Sequence, residues 1–118
     1  MHPHQLGTSS ESHAARFLTS NGYQIVARNF RIRHKEIDII ARRLNTIAFI
    51  EVKARSGHGC GHPLEAITWK KRREIAQVAS AWIDRHGDPA LTYRFDAIAV
   101  IWRGHAYTIE HTENAWAL

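Results

Sequence analysis

The spacing of apolar residues along this chain changes several times, and each change marks an element. Ala14, Ala15 and Leu18 follow Glu11 at i+3, i+4 and i+7, with Phe17 beside them. That period lines one face of a helix and predicts a stripe turned toward a core. Thr8-Ser9-Ser10-Glu11 has the form of a capping box, which starts the helix at Thr8 and leaves Met1 to Leu6 as a loose tail. Asn21-Gly22 ends it, glycine suiting a left-handed cap. From Tyr23 the period falls to two, giving a strand from Tyr23 to Asn29. Lys35 to Arg55 then reads as two strands joined by a turn at Arg42 to Asn45. Thr68 is placed to cap a second helix running to His86, with Ile75, Ala76, Ala79, Trp82 and Ile83 as its stripe and Gly87 and Pro89 as its stop. Apart from Arg94 and Asp96 at its start, the run from Tyr93 to Trp102 is apolar on both faces, the pattern of a covered central strand. Ala106 to His111 adds a last short strand, and Trp116 and Leu118 are expected to pack on the core or on a partner. The order αβββαββ predicts an α/β sandwich around a mixed sheet. The strands flanking the second helix should be parallel, through a right-handed crossover.

Composition narrows the class. With 118 residues, 44% hydrophobic and 23% charged, the chain has the size and balance of one small soluble domain spanning 1–118. Its longest apolar run, Ala97 to Trp102, is too short to span a bilayer, and MHPHQLGTSS contains no apolar signal segment. One cysteine excludes an intramolecular disulfide and fits a reducing compartment, so the protein is expected to be cytoplasmic with no membrane partner. A net charge of +5, from 16 Lys+Arg against 11 Asp+Glu, favours an anionic partner.

The chemistry concentrates in the central hairpin. Alternation along a strand puts Glu36 and Asp38 on one face with Ile37 and Ile39 on the other, then Glu51 and Lys53 on one face with Ile50 and Val52 on the other. Antiparallel pairing would bring Asp38, Glu51 and Lys53 to one side of the sheet. Two carboxylates and an ammonium among apolar neighbours are costly in a purely structural strand. They make sense where a divalent metal sits between the carboxylates and a lysine faces the reacting group. Glu11 is either the partner in the capping box or a group turned toward the sheet. Two basic runs flank these residues. Arg28, Arg31, Arg33 and Lys35 either protect a solvated edge or contact phosphate beside the site. Lys70, Lys71, Arg72 and Arg73 occupy a helix start where the dipole disfavours cations, an arrangement suited to phosphate. A solvated basic face is the plainer account of that run. His58, Cys60 and His62 alternate with glycines, too close together for a tetrahedral zinc site, so the loop is expected to carry no structural metal.

An acidic residue in a first helix, Asp on one strand and Glu-x-Lys on the next form the pattern of the PD-(D/E)XK nuclease superfamily. Here those positions are Glu11, Asp38, Glu51 and Lys53. Within that pattern the chain closely resembles the bacterial UPF0102 (YraN-like) family, whose core is similar to archaeal Holliday-junction resolvases. The resemblance runs from Gly7 to about Val100. It includes Asn29-Phe30-Arg31, Glu36-Ile37-Asp38, Phe49-Ile50-Glu51-Val52-Lys53, Arg55, Lys70 and Arg94-Phe95-Asp96. One departure is Lys35, where the family usually has Gly before Glu-Ile-Asp. The resemblance implies a restriction-endonuclease-like αβββαβ core and Mg²⁺ or Mn²⁺ held by Asp38, Glu51 and the Val52 carbonyl. Lys53 would act in catalysis and Glu11 would assist. Arg31, Lys70, Lys71, Arg72 and Arg73 would meet nucleic acid, with DNA, branched or otherwise structured, as the expected substrate of hydrolysis. A homodimer would suit the symmetry of a junction. A non-cleaving nucleic-acid-binding protein on the same fold is the main alternative, and a protein-interaction module using the basic face and Trp116 is the other.

Overall fold

A computed structural model describes residues 3–57 and 67–117, with side chains from residue 9 onward. Among these residues the elements are α1 (Pro3–Ser20), β1 (Gln24–Ile32), β2 (Lys35–Arg43), β3 (Thr46–Ser56), α2 (Trp69–His86), β4 (Thr92–Arg103) and β5 (Ala106–Thr112). The strands form one sheet in the order β1-β2-β3-β4-β5. Every pairing is antiparallel except β3 with β4, which are parallel and connected through α2. The architecture is α/β, and its order agrees with a restriction-endonuclease-like core. Among the described residues no helix is long and apolar enough to cross a membrane. His58, Cys60, His62 and Leu118 lie outside the described residues.

Helix α2 follows its sequence signals closely. The Thr68 hydroxyl accepts the Lys71 N–H at 3.1 Å, and the Gly87 N–H returns to the Ile83 carbonyl at 2.7 Å. Such a cap contributes about 1 kcal/mol. An added Cβ at Gly87 would run into Ile83, which is why glycine stands there. The buried stripe is Ile75, Val78, Ala79 and Trp82, so Val78 takes the place expected for Ala76.

Helix α1 corrects the expected start. It begins at Pro3, so residues 3–6 are its first turn rather than a loose tail, and Thr8 lies inside it rather than at its cap. Proline at the helix start has no N–H to leave unpaired and a backbone angle already suited to the first turn. Glu11 is thereby freed from a capping role.

Two apolar layers sandwich the sheet. Toward α2 lie Ile37, Ile40, Ile47 and Phe49 with Ile75, Val78 and Trp82. Toward α1 lie Ile39, Ala41, Ala48 and Ile50 with Ala14, Leu18 and Trp102. Burying each of the larger side chains contributes about 1.5–3 kcal/mol. Strand β3 alternates regularly between the layers. Strand β2 does not: Ile37 packs toward α2 and Ile39 toward α1, where strict alternation would put both on one face. The switch is matched in β1, where Ala27 and Phe30, three residues apart, both pack toward α2 and Asn29 between them has φ 52°. Since Arg28 faces Ile39 and Phe30 faces Ile37, the left-handed Asn29 stands across from Asp38. The two strands change face together at that point.

After β5 the chain folds back. The Ala115 N–H donates to the Phe95 carbonyl at 2.7 Å, and Trp116, 6% exposed, stacks on Phe95 with centroids 5.5 Å apart. Trp116 therefore belongs to the protein's own core and is not a free anchor for a partner.

Candidate active site

The β2–β3 ladder runs from Arg43↔Thr46 to Ile39↔Ile50 and stops there. At its open end the Val52 N–H donates to Asp38 Oδ2 at 2.8 Å, a side chain taking over from the ladder. Asp38 is thus fixed by the backbone of β3, at the point where β2 changes face. Glu51 follows Ile47 and Phe49 by alternation and turns toward α2, where Lys71 Nζ lies 3.7 Å from its Oε2.

Asp38 and Glu51 form a buried carboxyl pair, 8% and 3% exposed. Burial pushes Glu51 up to about 9, reinforced by a hydrogen bond with Asp38 and by that neighbour's like charge. Lys71 and Lys53 oppose the rise. Glu51 Oε2 is buried without a hydrogen-bond partner among the described residues. Glu11 approaches from α1. Burial, Asp38 and Glu36 raise its carboxyl above the usual range, Arg28 opposes this, and its Oε1 also lacks a partner among the described residues. Glu11 therefore faces the sheet.

The structure brings together Glu11, Asp38, Glu51, Lys53 and Lys71, with Asp38 as the link between the two faces. Among the described residues, no three His, Cys, Asp or Glu side chains gather closely enough to form a cage by themselves. What the site offers is a pair. One or two carboxylates are what Mg²⁺ usually takes from a protein, with waters and phosphate oxygens filling the remaining positions. A buried carboxyl pair with an unmatched oxygen therefore fits a hard divalent cation.

The basic residues sort by partner. Glu36 holds Arg31 at 2.8 Å, so Glu36 is a salt-bridge partner and Arg31 is engaged by it. In α2 the run divides as successive side chains turn by about 100°. Lys71 enters the site. Arg72 Nε donates to the Ile67 carbonyl at 3.1 Å, with its guanidinium over Trp69 and Trp116. Lys70 and Arg73 are exposed.

A second buried ionic group has no role assigned by the sequence beyond its Arg94-Phe95-Asp96 signature. Asp96 is fully buried, yet it accepts two hydrogen bonds from Arg94 at 2.8 and 2.9 Å, one from the Asn114 N–H at 2.9 Å, and lies 2.8 Å from His111 Nε2. Burial alone would raise its carboxyl, but the bonds from His111, Arg94 and Asn114 outweigh it and hold the group below its usual value. Arg94 also donates to the Tyr23 hydroxyl at 2.6 Å. This network ties β4 to β5, to the C-terminal segment and to Tyr23 in the connection between α1 and β1. The available signal was Arg94 and Asp96, two residues apart on one face of an otherwise apolar strand.

A family model described as Uncharacterised protein family UPF0102 matches residues 10–100, which contain Glu11, Asp38, Glu51 and Lys53. A UPF0102 protein of Chlorobium phaeobacteroides is 44% identical, covering 97% of this chain and 95% of its own length. One from Chlorobaculum tepidum is also 44% identical, over 97% and 93% of the two chains. One from Nocardia farcinica is 46% identical, over 90% and 84%. The carboxyl pair and its two lysines lie inside a shared unit nearly as long as the chain itself, and the chain belongs to the UPF0102 family.

Proposed function

We propose that this protein is a divalent-metal-dependent endonuclease acting on DNA, with branched or otherwise structured DNA as the preferred form. The observation that carries the reading is the Asp38–Glu51 pair, buried and flanked by two lysines. Asp38 and Glu51 would hold Mg²⁺ or Mn²⁺. The bound ion would supply an activated water at neutral pH and neutralise charge on the phosphate. Glu51 must give up its proton to serve as a ligand, so its raised affinity for protons makes cation binding stronger at higher pH. The Val52 N–H keeps Asp38 oriented through that change. Lys53, half-buried and close enough to Glu51 to lower its proton affinity, can donate to a phosphate oxygen or hold a water with its ammonium. Lys71, 3.7 Å from Glu51, places a second cation on the same side.

The test is calorimetric Mn²⁺ titration of the wild type, Asp38→Asn and Lys53→Ala, paired with a panel of labelled DNA and RNA structures in Mn²⁺, Mg²⁺ or EDTA. Asp38→Asn should weaken Mn²⁺ binding, Lys53→Ala should leave it near wild type, and both should abolish cleavage. Equal Mn²⁺ affinity in the wild type and a folded Asp38→Asn variant would defeat the assignment. A non-cleaving nucleic-acid-binding protein is the second reading, favoured by the exposed cations Arg33, Lys70 and Arg73. It predicts metal-independent DNA binding with no cleavage in any arm of the panel.

A further inference from the structure

The β1–β2 turn and the middle of α2 enclose a cavity of about 250 Å³ lined by Ile32, Arg33, His34, Lys35, Gln77 and Val78. Arg33, at the turn, has φ 59°. Lys35 Nζ donates to Gln77 Oε1 at 2.5 Å, so a neutral acceptor orients its ammonium and leaves the charge uncompensated. Arg31, two residues before Arg33, is instead neutralised by Glu36. Arg33 and His34 are exposed, and their side chains have no ion pair among the described residues. Three successive basic residues thus line one concave surface without a carboxylate to answer them.

Its position connects it to the carboxyl pair. Lys35 and Asp38 are three residues apart on β2, about 10 Å at the rise of an extended strand. On the helix side, Lys71 near Glu51 and Gln77 near Lys35 are six residues apart, about 9 Å along the axis. The cavity and the carboxyl pair therefore lie about 10 Å apart along β2, with Ile37 packed on α2 between them. That separation is within the reach of nearby phosphates on a single nucleic-acid strand.

We infer that this cavity is a phosphodiester subsite, in which Arg33, His34 and Lys35 grip a backbone phosphate close to the one presented at Asp38 and Glu51. The inference rests on the nucleic-acid reading of the same site. It supplies a binding element that acts without a metal and fixes which stretch of the strand reaches the carboxyl pair. The hydrogen-bond donors are the Arg33 guanidinium, the Lys35 ammonium and the Gln77 side-chain amide, a set that reads phosphate oxygens rather than bases.

The test uses the full chain in EDTA, so that binding is read apart from cleavage. Fluorescence anisotropy with a labelled DNA duplex and a labelled single strand, at salt from about 50 to 200 mM, compares the wild type, Lys35→Gln, the double variant Arg33→Asn/Lys35→Gln, and Arg85→Gln as an exposed cation elsewhere. Asparagine suits the positive φ of Arg33. The double variant should lower affinity about tenfold and reduce the log K against log[salt] slope by about one, for the one phosphate lost, while Arg85→Gln should leave the slope unchanged. In parallel, NMR titration of the wild type with inorganic phosphate should shift the Arg33, His34, Lys35 and Gln77 amides before others. A slope unchanged in the double variant, a wild type that binds no DNA at the lowest salt, or phosphate shifts that miss these four amides would each overturn the subsite. If the slope falls as stated while no metal supports cleavage, the subsite stands and the endonuclease reading falls. The reverse pattern, cleavage with an unchanged slope, leaves the endonuclease and removes the subsite.

Discussion

Replacing Glu51 by glutamine gives the sharpest test of the carboxyl pair, because the effect should depend on pH in a calculable way. Glu51 is raised from 4.5 to about 9 in the folded protein. A group whose folded value is raised stabilises the fold most below its unfolded value, and the contribution is lost as pH rises toward the folded value. Between about pH 5 and pH 8 the unfolded chain carries Glu51 ionised and the folded chain carries it protonated. Stability should then fall by about 1.4 kcal/mol per pH unit from this group alone. Summed from pH 5 to pH 7, the loss is about 3 kcal/mol, allowing for partial ionisation of the unfolded chain near pH 5. In Glu51→Gln the side-chain amide retains a donor toward Asp38 and cannot ionise, so the variant should match the wild type near pH 5 and exceed it by about 3 kcal/mol at pH 7. The assay is urea unfolding of both proteins at pH 5, 6, 7 and 8 in EDTA, which keeps divalent cations from holding Glu51 ionised. The expected shift in midpoint at pH 7 is on the order of 1–2 M urea. Taking the difference between the two proteins cancels the titrating groups distant from Glu51. Stability curves that stay parallel from pH 5 to pH 8 would refute the raised proton affinity of Glu51.

Three further outcomes are expected elsewhere in the molecule. Asp96→Asn removes the carboxylate that answers Arg94 and should cost about 3 kcal/mol in thermal or urea unfolding; because the Asp96 carboxyl is held low, its contribution is present at neutral pH and lost in acid, so the variant's stability should fall less steeply below about pH 4. Leu44, 86% exposed at φ 55° in the β2–β3 turn, carries backbone strain without burial in return, and Leu44→Asn should raise the melting temperature by the equivalent of about 0.5–1 kcal/mol. Lys70→Ala should leave the melting temperature unchanged and reduce the salt slope of DNA binding by about one, an unchanged slope removing the start of α2 from the contact surface.

How far the sequence carries depends on whether a signal is local. Thr68, Gly87 and the hairpin turn are read from a few neighbouring residues, and the structure places α2 and the β2–β3 turn where those residues indicate. The start of α1 escapes such a reading because a capping-box pattern can occur inside a helix already under way from Pro3. The faces of β2 escape it because alternation assumes an unbroken extended strand. The departure at Asp38 is coupled to a left-handed Asn29 on a neighbouring strand, which no window along β2 contains. The basic run in α2 looks uniform in sequence, and only the helix phase and the positions of Glu51, Trp69 and Trp116 divide it. Glu11 illustrates the same limit, since two roles share one residue type and the helix start decides between them.

The sheet's connectivity also bears on the order in which the protein assembles. Strands β1, β2 and β3 form a meander closed by short turns, and β4 with β5 forms a hairpin. The seam between these units is the parallel β3–β4 ladder, whose first pair, Thr46 and Thr92, is separated by 46 residues. Closing so long a loop is entropically slower than zipping either local unit. Asp38 and Glu51 both lie in the meander, so their strands can meet early, but Glu51 is sealed from water only when α2 and β4 close over β3. The protonation of Glu51 therefore becomes a clock for the final docking step. If docking is rate-limiting, proton uptake in stopped-flow refolding with a pH indicator near pH 7 should coincide with the slow phase. Uptake in an earlier phase would place the burial of the carboxyl pair before the seam.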